Sequence, residues 1–331
     1  MDALSEILSA VKLSSALYFN AEFSAPWGAV SPASHELAPL LAPGAPHLVI
    51  YHLVLEGEAF AHIGRRTVPL CAGDVVVVPH GDAHVMTSEP AAGETRESSA
   101  IARKVRSREL SPLYAGGGGR KTRFICGFMA CDPELIRPIL NGLPAIFKVN
   151  LRTDRSGLWL ENAILHLVEE AGSSQVGCEA MMAKLSEALF IDTLRRHVAT
   201  LPEEQLGWLT GARDPVVGKG LGLLHRRVSH PWTIAELAKE VGLSRSALVE
   251  RFTRYLSEPP MTYLMRWRLQ LAARALTHTS KGVAEVASDV GYESEAAFNR
   301  AFKREFGTPP ARYRRERKSP PIAPILSRAS D

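Results

Sequence analysis

A chain of 331 residues with 46% hydrophobic side chains has room for two compact domains, each with its own core. The longest apolar runs, residues 48–55 and 75–78, are too short to cross a bilayer, and the opening Met1-Asp-Ala-Leu-Ser-Glu lacks the basic start of a secretion signal, so a cytoplasmic location with no membrane partner is expected. The net charge of +4 is unevenly spread: residues 219–318 hold 19 Lys/Arg against 10 Asp/Glu, a surplus of nine that leaves −5 on the remainder. A basic module on an acidic body suits a polyanion, because neutralised phosphates release counterions, although an ordinary solvated face can look the same.

In chain order, residues 47–55, 59–63, 68–70 and 75–79 are short apolar runs broken by Glu56-Gly57-Glu58, Gly64-Arg65-Arg66 and Ala72-Gly73-Asp74, a rhythm that predicts antiparallel strands. Residues 90–121 lose hydrophobicity and end in the glycines 116–119, which predicts a mobile loop. A strand is expected over 124–129. From Gly157 the period becomes helical: Leu158, Ala163, Ile164, Leu167 and Val168 mark one helix, and Met181, Met182, Leu185, Leu189 and Leu194 a second. These two helices would bridge the body to the basic module, as a dimerisation pair or as plain core. Residues 201–218, with their prolines and glycines, read as a linker.

The basic module contains an internal repeat. Thr233-Ile-Ala-Glu-Leu-Ala-Lys-Glu-Val-Gly242 matches Gly282-Val-Ala-Glu-Val-Ala-Ser-Asp-Val-Gly291 at an offset of 49. At an offset of 50, Ser244, Leu248, Phe252, Arg254, Pro259, Pro260 and Tyr263 pair with Ser294, Phe298, Phe302, Arg304, Pro309, Pro310 and Tyr313. Each copy reads as a short helix, a glycine able to take positive φ, and a second helix capped by serine: a helix-turn-helix whose second helix can enter a major groove. The exposed candidates are Arg245, Ser246, Val249 and Glu250 in the first copy, and Glu295, Ala296, Asn299 and Arg300 in the second. Arg300 is the strongest, because a guanidinium can bridge guanine O6 and N7. Arg314 and Arg315 are candidate phosphate contacts. The apolar run over 261–276 predicts a connecting helix that sets the two readers about 34 Å apart, in successive major grooves.

Residues 219–317 resemble the DNA-binding domain of the AraC/XylS family of transcription regulators, on the strength of Ile234-Ala-Glu-Leu-Ala, Gly242-Leu-Ser-Arg-Ser, Tyr263-Leu-Met-Arg-Trp-Arg-Leu, Val290-Gly-Tyr-Glu-Ser, Phe298-Asn-Arg-Ala-Phe-Lys-Arg-Glu-Phe-Gly and Thr308-Pro-Pro-Ala-Arg-Tyr-Arg. The resemblance implies base contacts at Ser246 and Glu250, and at Glu295, Ala296, Ala297 and Arg300. Glu250 departs from the family, which commonly has glutamine or arginine there; a carboxylate can accept from cytosine N4.

Gly73-Asp-Val-Val-Val-Val-Pro79-His80-Gly81-Asp-Ala-His84 fits Gly-x5-Pro-x-Gly-x2-His, and residues 20–130 resemble the cupin β-barrel family. Gly73 would turn the chain into a buried strand, Pro79 end it, and Gly81 let the next strand return with His84 inward. The resemblance implies a histidine-rich partner motif for a metal, but residues 43–55 offer only His47 and His52 at the wrong spacing, so no metal or cofactor is expected. His52, His62, His80 and His84 could still meet inside the barrel. The four cysteines are too few for a disulfide framework, and reduced thiols are expected. Cys71, Cys126 and Cys131 are redox candidates, since related cupin-type regulators use cysteine oxidation and Arg65, Arg66 and Arg123 could lower a thiol pKa; inert cysteines are the plainer alternative.

The expected fold class is α+β multidomain: an N-terminal cupin-like antiparallel β-barrel over residues 1–150, a helical linker or dimerisation region over 151–212, and an all-α tandem helix-turn-helix domain over 213–318 with units at 233–256 and 283–306, followed by a flexible tail over 319–331. A metal-dependent cupin enzyme and an architectural DNA protein are the competing readings. The duplicated reader favours a non-enzymatic transcription regulator, an activator in keeping with the family, with promoter DNA, RNA polymerase, a small-molecule effector and a second copy of itself as expected partners, and His52, His80 and His84 as candidate effector contacts.

Overall fold

A computed structural model describes residues 2–11, 13–91, 98–107, 110–170, 176–202 and 204–317. The tail expected over 319–331 lies outside the described residues. Among those described, contacts divide the chain into two units: one within 13–133 and 143–200, the other within 2–11, 134–142 and 201–317. The chain opens with α1 (Ala3–Val11) in the second unit, a helix the sequence reading missed.

The first unit is built on two sheets. Its elements are β1 (Ser14–Ser24), β2 (Gly28–Ser31), α2 (Ser34–Leu41), β3 (His47–Glu56), β4 (Glu58–Ile63), β5 (Arg66–Cys71), β6 (Asp74–Val78), β7 (His84–Thr87), α3 (Ser98–Ser107), β8 (Leu113–Gly116) and β9 (Lys121–Cys131). After α4 (Pro133–Leu140), β10 (Phe147–Asn150), α5 (Arg155–Glu170) and α6 (Cys178–Thr200) complete it. A six-stranded sheet runs β10-β6-β3-β9-β1-β8 and a four-stranded sheet β2-β7-β4-β5. The expected barrel is therefore two open sheets, and the β1–β8 pair is parallel, with Ala21 opposite Leu113.

Alternation explains why the large sheet is apolar on both faces. Leu48, Ile50 and Val54 of β3 join Val76, Val78, Phe124 and Phe128 in the inner core. On the opposite face, Tyr51 hydrogen-bonds Ser186 of α6, and Ser15 Oγ donates to the Ala183 carbonyl at 2.6 Å. Helix α6 thus covers the outer face of the sheet: Leu189 is buried and Leu185 half-buried, while Met181 is exposed.

The stretch expected to be a mobile loop holds α3 and β8, although residues 92–97 and 108–109 lie outside the described set. Its glycines have a packing reason: a Cβ at Gly116 would stand 1.9 Å from the Ser24 carbonyl oxygen. That close approach lets the Gly117 and Gly119 amides donate to the Ser24 and Ala25 carbonyls, at 2.8 Å each.

The second unit is helical. The expected linker over 201–218 instead folds into α7 (Trp208–Arg213) and the start of α8 (Pro215–Arg226), because Trp208, Leu209 and Val217 are apolar enough to bury and Asp214 caps α8 by accepting from the Val216 and Val217 amides. Then follow α9 (Ile234–Val241), α10 (Arg245–Leu256), α11 (Pro260–His278), α12 (Val283–Asp289), α13 (Glu295–Phe306) and α14 (Pro310–Arg317). Helix α1 packs on α8, with Glu6 paired to Arg226 at 2.9 Å.

Arg268 of α11 donates to the carbonyls of Val228 (2.7 Å), His230 (2.6 Å) and Gly291 (3.2 Å). Gly291 has φ +82°, and a Cβ there would meet Ser229 O at 2.6 Å and the Arg268 guanidinium at 2.8 Å. Replacing Arg268 with Ala is expected to lower stability by about 2 kcal/mol, the scale of losing charge-assisted hydrogen bonds to carbonyls, and Gly291→Ala to be destabilising as well. Urea unfolding of the full chain followed by circular dichroism checks both; midpoints equal to wild type would refute the bridge.

Candidate nucleic-acid interface and effector pocket

The two copies in the basic module share a cap-and-turn geometry. Gly242 closes α9 at φ +79° and Gly291 follows α12 at φ +82°, where a Cβ would be strained. Ser244 accepts from the Ala247 amide and Ser294 from the Ala297 amide, both at 3.2 Å, starting α10 and α13 one residue beyond each serine. Such a cap is worth about 1 kcal/mol. Leu248 and Phe252 anchor the first of these helices and Phe298 and Phe302 the second, all fully buried.

The opposite faces are open. Arg245, Ser246, Glu250, Glu295, Ala296 and Arg300 are exposed, and Val249, Ala297 and Asn299 are half-buried. Superposing the copies at the offset of 50 sets Arg245 against Glu295 and Glu250 against Arg300, so the two readers present opposite charges at matching positions. Arg315 is exposed, whereas Arg314 donates to the Leu276 carbonyl at 3.0 Å and also to that of Lys281.

Sequence reading missed what holds the first reader. Arg251 of α10, itself exposed, grips Asp214 through Nε and Nη2, at 3.0 and 2.6 Å. Burial opposes ionisation of Asp214, yet the Arg251 guanidinium and the Val216 and Val217 amides hold its carboxyl below the usual range. A lone Arg and a lone Asp 37 residues apart give no periodic signal.

In the first unit, His52 and His84 meet. Their Nε2 atoms are 2.6 Å apart, His52 Nδ1 lies 2.8 Å from Cys126 Sγ, and His84 Nδ1 lies 2.9 Å from the Asp82 carbonyl oxygen. A carbonyl only accepts, so His84 Nδ1 carries the proton and its Nε2 accepts; His52 Nε2 therefore donates, and its Nδ1 accepts from the Cys126 thiol. This buried chain lies against a small apolar cavity of about 50 Å³ walled by Tyr18, Phe19, Leu37 and Phe124. The other two histidines do not join it: His62 bonds Thr67 and Thr87, and exposed His80 faces the Leu143 carbonyl. Among the described residues no three His, Cys, Asp or Glu side chains converge on a metal position.

At the three candidate cysteines the surroundings favour the protonated thiol. Burial pushes Cys126 well up and Cys131 to about 12, with Asp132 adding to the latter. Exposed Cys71 is raised by desolvation and by the Asp74 carboxylate. Arg123, expected to activate a thiol, pairs with Glu169.

Burial holds both His52 and His84 below the ordinary imidazole value; His84 further disfavours charge on His52, while the Asp82 carbonyl and carboxylate oppose part of the shift at His84. Below about pH 6.5 the unfolded chain takes up protons that the folded pair refuses, so their contribution is complete above that pH and declines on acidification by up to about 1.4 kcal/mol per pH unit for each. His225, lowered to about 3 by burial in the second unit, acts in the same direction. Thermal melts between about pH 8 and about pH 5 should show a falling midpoint, less steep in His52→Asn; an unchanged slope in that variant would remove the pair from the account.

Residues 2–199 match the family model described as cupin, more than half of the chain, and residues 237–316 match that of a helix-turn-helix domain. The HTH-type transcriptional regulator AlkR of Acinetobacter baylyi is 29% identical over 319 residues, covering 96% of this chain and 100% of that protein. Proteins described as AraC-like transcription regulators are 30% identical in Streptomyces antibioticus, over 85% of this chain and 94% of that one, and in Streptomyces lividans, over 87% and 95%. Among the described residues no helix is long and apolar enough to cross a membrane. With its cupin domain, its capped and duplicated helix-turn-helix and these regulators as relatives, the chain belongs to the AraC/XylS family of DNA-binding transcription regulators and is not an enzyme.

Proposed function

We propose that α10 and α13 read the two halves of an asymmetric promoter site, and that a compact, largely apolar effector in the cupin unit controls that reading. The observation that carries the first part is the pair of capped helices whose exposed faces carry Arg245 and Glu250 on one and Glu295 and Arg300 on the other. Opposite charges at equivalent positions favour different bases: a guanidinium suits guanine and a carboxylate suits cytosine N4. Arg315 serves as a phosphate contact, and Arg314 contributes by holding α14 against the end of α11.

The effector reading rests on the apolar cavity beside His52 and Cys126, whose size admits only a compact molecule. It is favoured over cysteine oxidation because Cys71, Cys126 and Cys131 are all held towards the protonated thiol, the poor nucleophile. Exposed Leu158 and Trp159 on α5 and Met181 on α6, 40%, 65% and 57% exposed, support a homodimer, which sedimentation would read directly. The bound regulator then acts through RNA polymerase.

Selection from random duplexes by the full-length protein is expected to enrich a bipartite motif with half-sites about one helical turn apart. On that motif Arg300→Ala should cost about 1–3 kcal/mol and relax preference at one base pair, while Arg315→Ala should weaken all duplexes alike. An Arg300→Ala protein with wild-type affinity and motif would refute the assignment. Repeating the titration with cyclohexanol should shift affinity for wild type but not for Ala29→Leu, which fills the cavity; equal responses would exclude the pocket.

A further inference from the structure

Cys126, His52 and His84 stand in line in the unit that does not read DNA, and the first two also wall its small apolar cavity. A thiol 2.8 Å from an imidazole nitrogen, with that imidazole held at 2.6 Å by a third group, is the arrangement of a nucleophile, its base and an orienting partner. The strands supply it: β3 and β9 run antiparallel with His52 opposite Cys126, and β7 begins at His84. All three side chains are buried.

The tautomers fixed above give the chain a direction. The Cys126 thiol donates to His52 Nδ1, His52 Nε2 donates to His84 Nε2, and His84 Nδ1 donates to the Asp82 carbonyl. A proton leaving sulfur can therefore pass to His52 while His52 passes its own to His84. The positive charge then rests on His84, beside Asp82, whose carbonyl and carboxylate both favour it. Burial keeps the resting thiol protonated, so attack requires the proton to leave as the new bond forms, and the relay provides for that. Cys131, buried on the same strand, is the contrast: it lies opposite His47, whose Nε2 donates to the Pro79 carbonyl instead.

Besides the thiol and the imidazole, the cavity walls carry two polar side chains among the described residues, the hydroxyls of Tyr18 and Ser31. The rest of the wall is aliphatic and aromatic. A nucleophile with its base, hydroxyls able to donate to a carbonyl oxygen, and walls that disfavour charge fit a small uncharged molecule in which a carbonyl activates a carbon–carbon double bond.

We propose that this cavity captures a compact α,β-unsaturated carbonyl compound by covalent addition to Cys126. Sulfur bonds to the β-carbon, the π pair moves onto the carbonyl oxygen as an enolate, and the thiol proton goes to His52 as His52 protonates His84. The relay then runs backwards and returns a proton to the α-carbon. One S–H bond and one C=C π bond are replaced by one S–C and one C–H bond; nothing leaves and nothing is oxidised. The thioether has no hydrogen to give His52, so addition fills the cavity and also removes a side-chain link between β9 and β3. Its consequence at DNA rests on the effector reading proposed above, whereas the addition is measured on the protein alone.

The test is timed exposure of the full-length protein to acrolein near neutral pH, followed by quenching and peptide mass mapping. Cys126 is expected to gain one acrolein at least about tenfold faster than Cys131, which is buried on the same strand. His52→Asn should slow the reaction at Cys126 about a hundredfold, the scale of losing a general base, and leave Cys71 and Cys131 unchanged. Ala29→Leu should block it by filling the cavity; thermal melts report whether each variant is folded. Cys126 left unmodified after exposed Cys71 has reacted fully, a rate no faster than at Cys131, or a wild-type rate in folded His52→Asn would each overturn the capture site. Failure of the effector reading is separable: Cys126→Ser should lose the adduct yet keep the cyclohexanol response. A wild-type protein that forms the adduct but ignores cyclohexanol counts against the effector reading and upholds the capture site.

Discussion

The guanidinium of Arg268 is taken by three backbone carbonyls, those of Val228 and His230 ahead of the first helix-turn-helix and that of Gly291 in the turn of the second. Backbone oxygens are fixed by the path of the chain, and a planar fork of donors fixes their relative placement more tightly than packing alone. Each helix-turn-helix has its own small core, so without a bridge the two reading faces would be joined only by the packing of α11. Burial lowers the Arg268 pKa from its usual value, but an arginine starts so high that the charge is kept. The placement of the turn of the second helix-turn-helix against the segment ahead of the first depends on this contact.

The same logic recurs at Asp214, where one carboxylate starts α8 and receives Arg251 from α10. The two anchors are used differently in the two copies. The first reader is held by an ion pair at a helix N-terminus; the second rests on aromatic packing, with Phe302 edge-on to Tyr313 at 5.2 Å and Phe306 against both. A duplicated unit has therefore kept its capped turn while diverging in what braces it and in the charges it displays. On the proposed reading, such an asymmetric face calls for a directional DNA site, since reversing the duplex would set Glu250 where Arg300 belongs.

What could be read from the residues was whatever repeats locally. Ser244 and Ser294, Gly242 and Gly291, and the apolar spacing between them are short-range signals, because caps and positive-φ turns are satisfied within four residues. The strand-forming runs around β3 to β6 were equally legible from alternation and turns. The rest depended on chain paths that no window can see. The glycines 116–119 suggested mobility, but their lack of side chains serves a close backbone approach to Ser24 and Ala25. Cys126 sits three residues from Arg123, yet the register of β9 against β3 sets it opposite His52 in the interior, where burial rather than a nearby cation decides its thiol. Arg268 and Asp214 are single residues without periodicity, and only the fold reveals their partners.

Connectivity bears on how a signal could reach the readers. The chain begins in the DNA-reading unit, leaves it for β1 to β9, returns for α4, leaves again for β10, α5 and α6, and returns at residue 201. The chain thus passes between the two units four times, and α4 lies in sequence between the end of β9 and the start of β10. Covalent passage transmits nothing by itself. A ligand moves the equilibrium only by the difference in its affinity for two arrangements, and a shift from one per cent to ninety-nine requires a preference of about ten-thousandfold. A compact molecule in a cavity of about 50 Å³ makes few contacts from which to draw such a difference. On the proposed reading, an effector in that cavity would therefore set a modest bias between two arrangements and not an all-or-none switch.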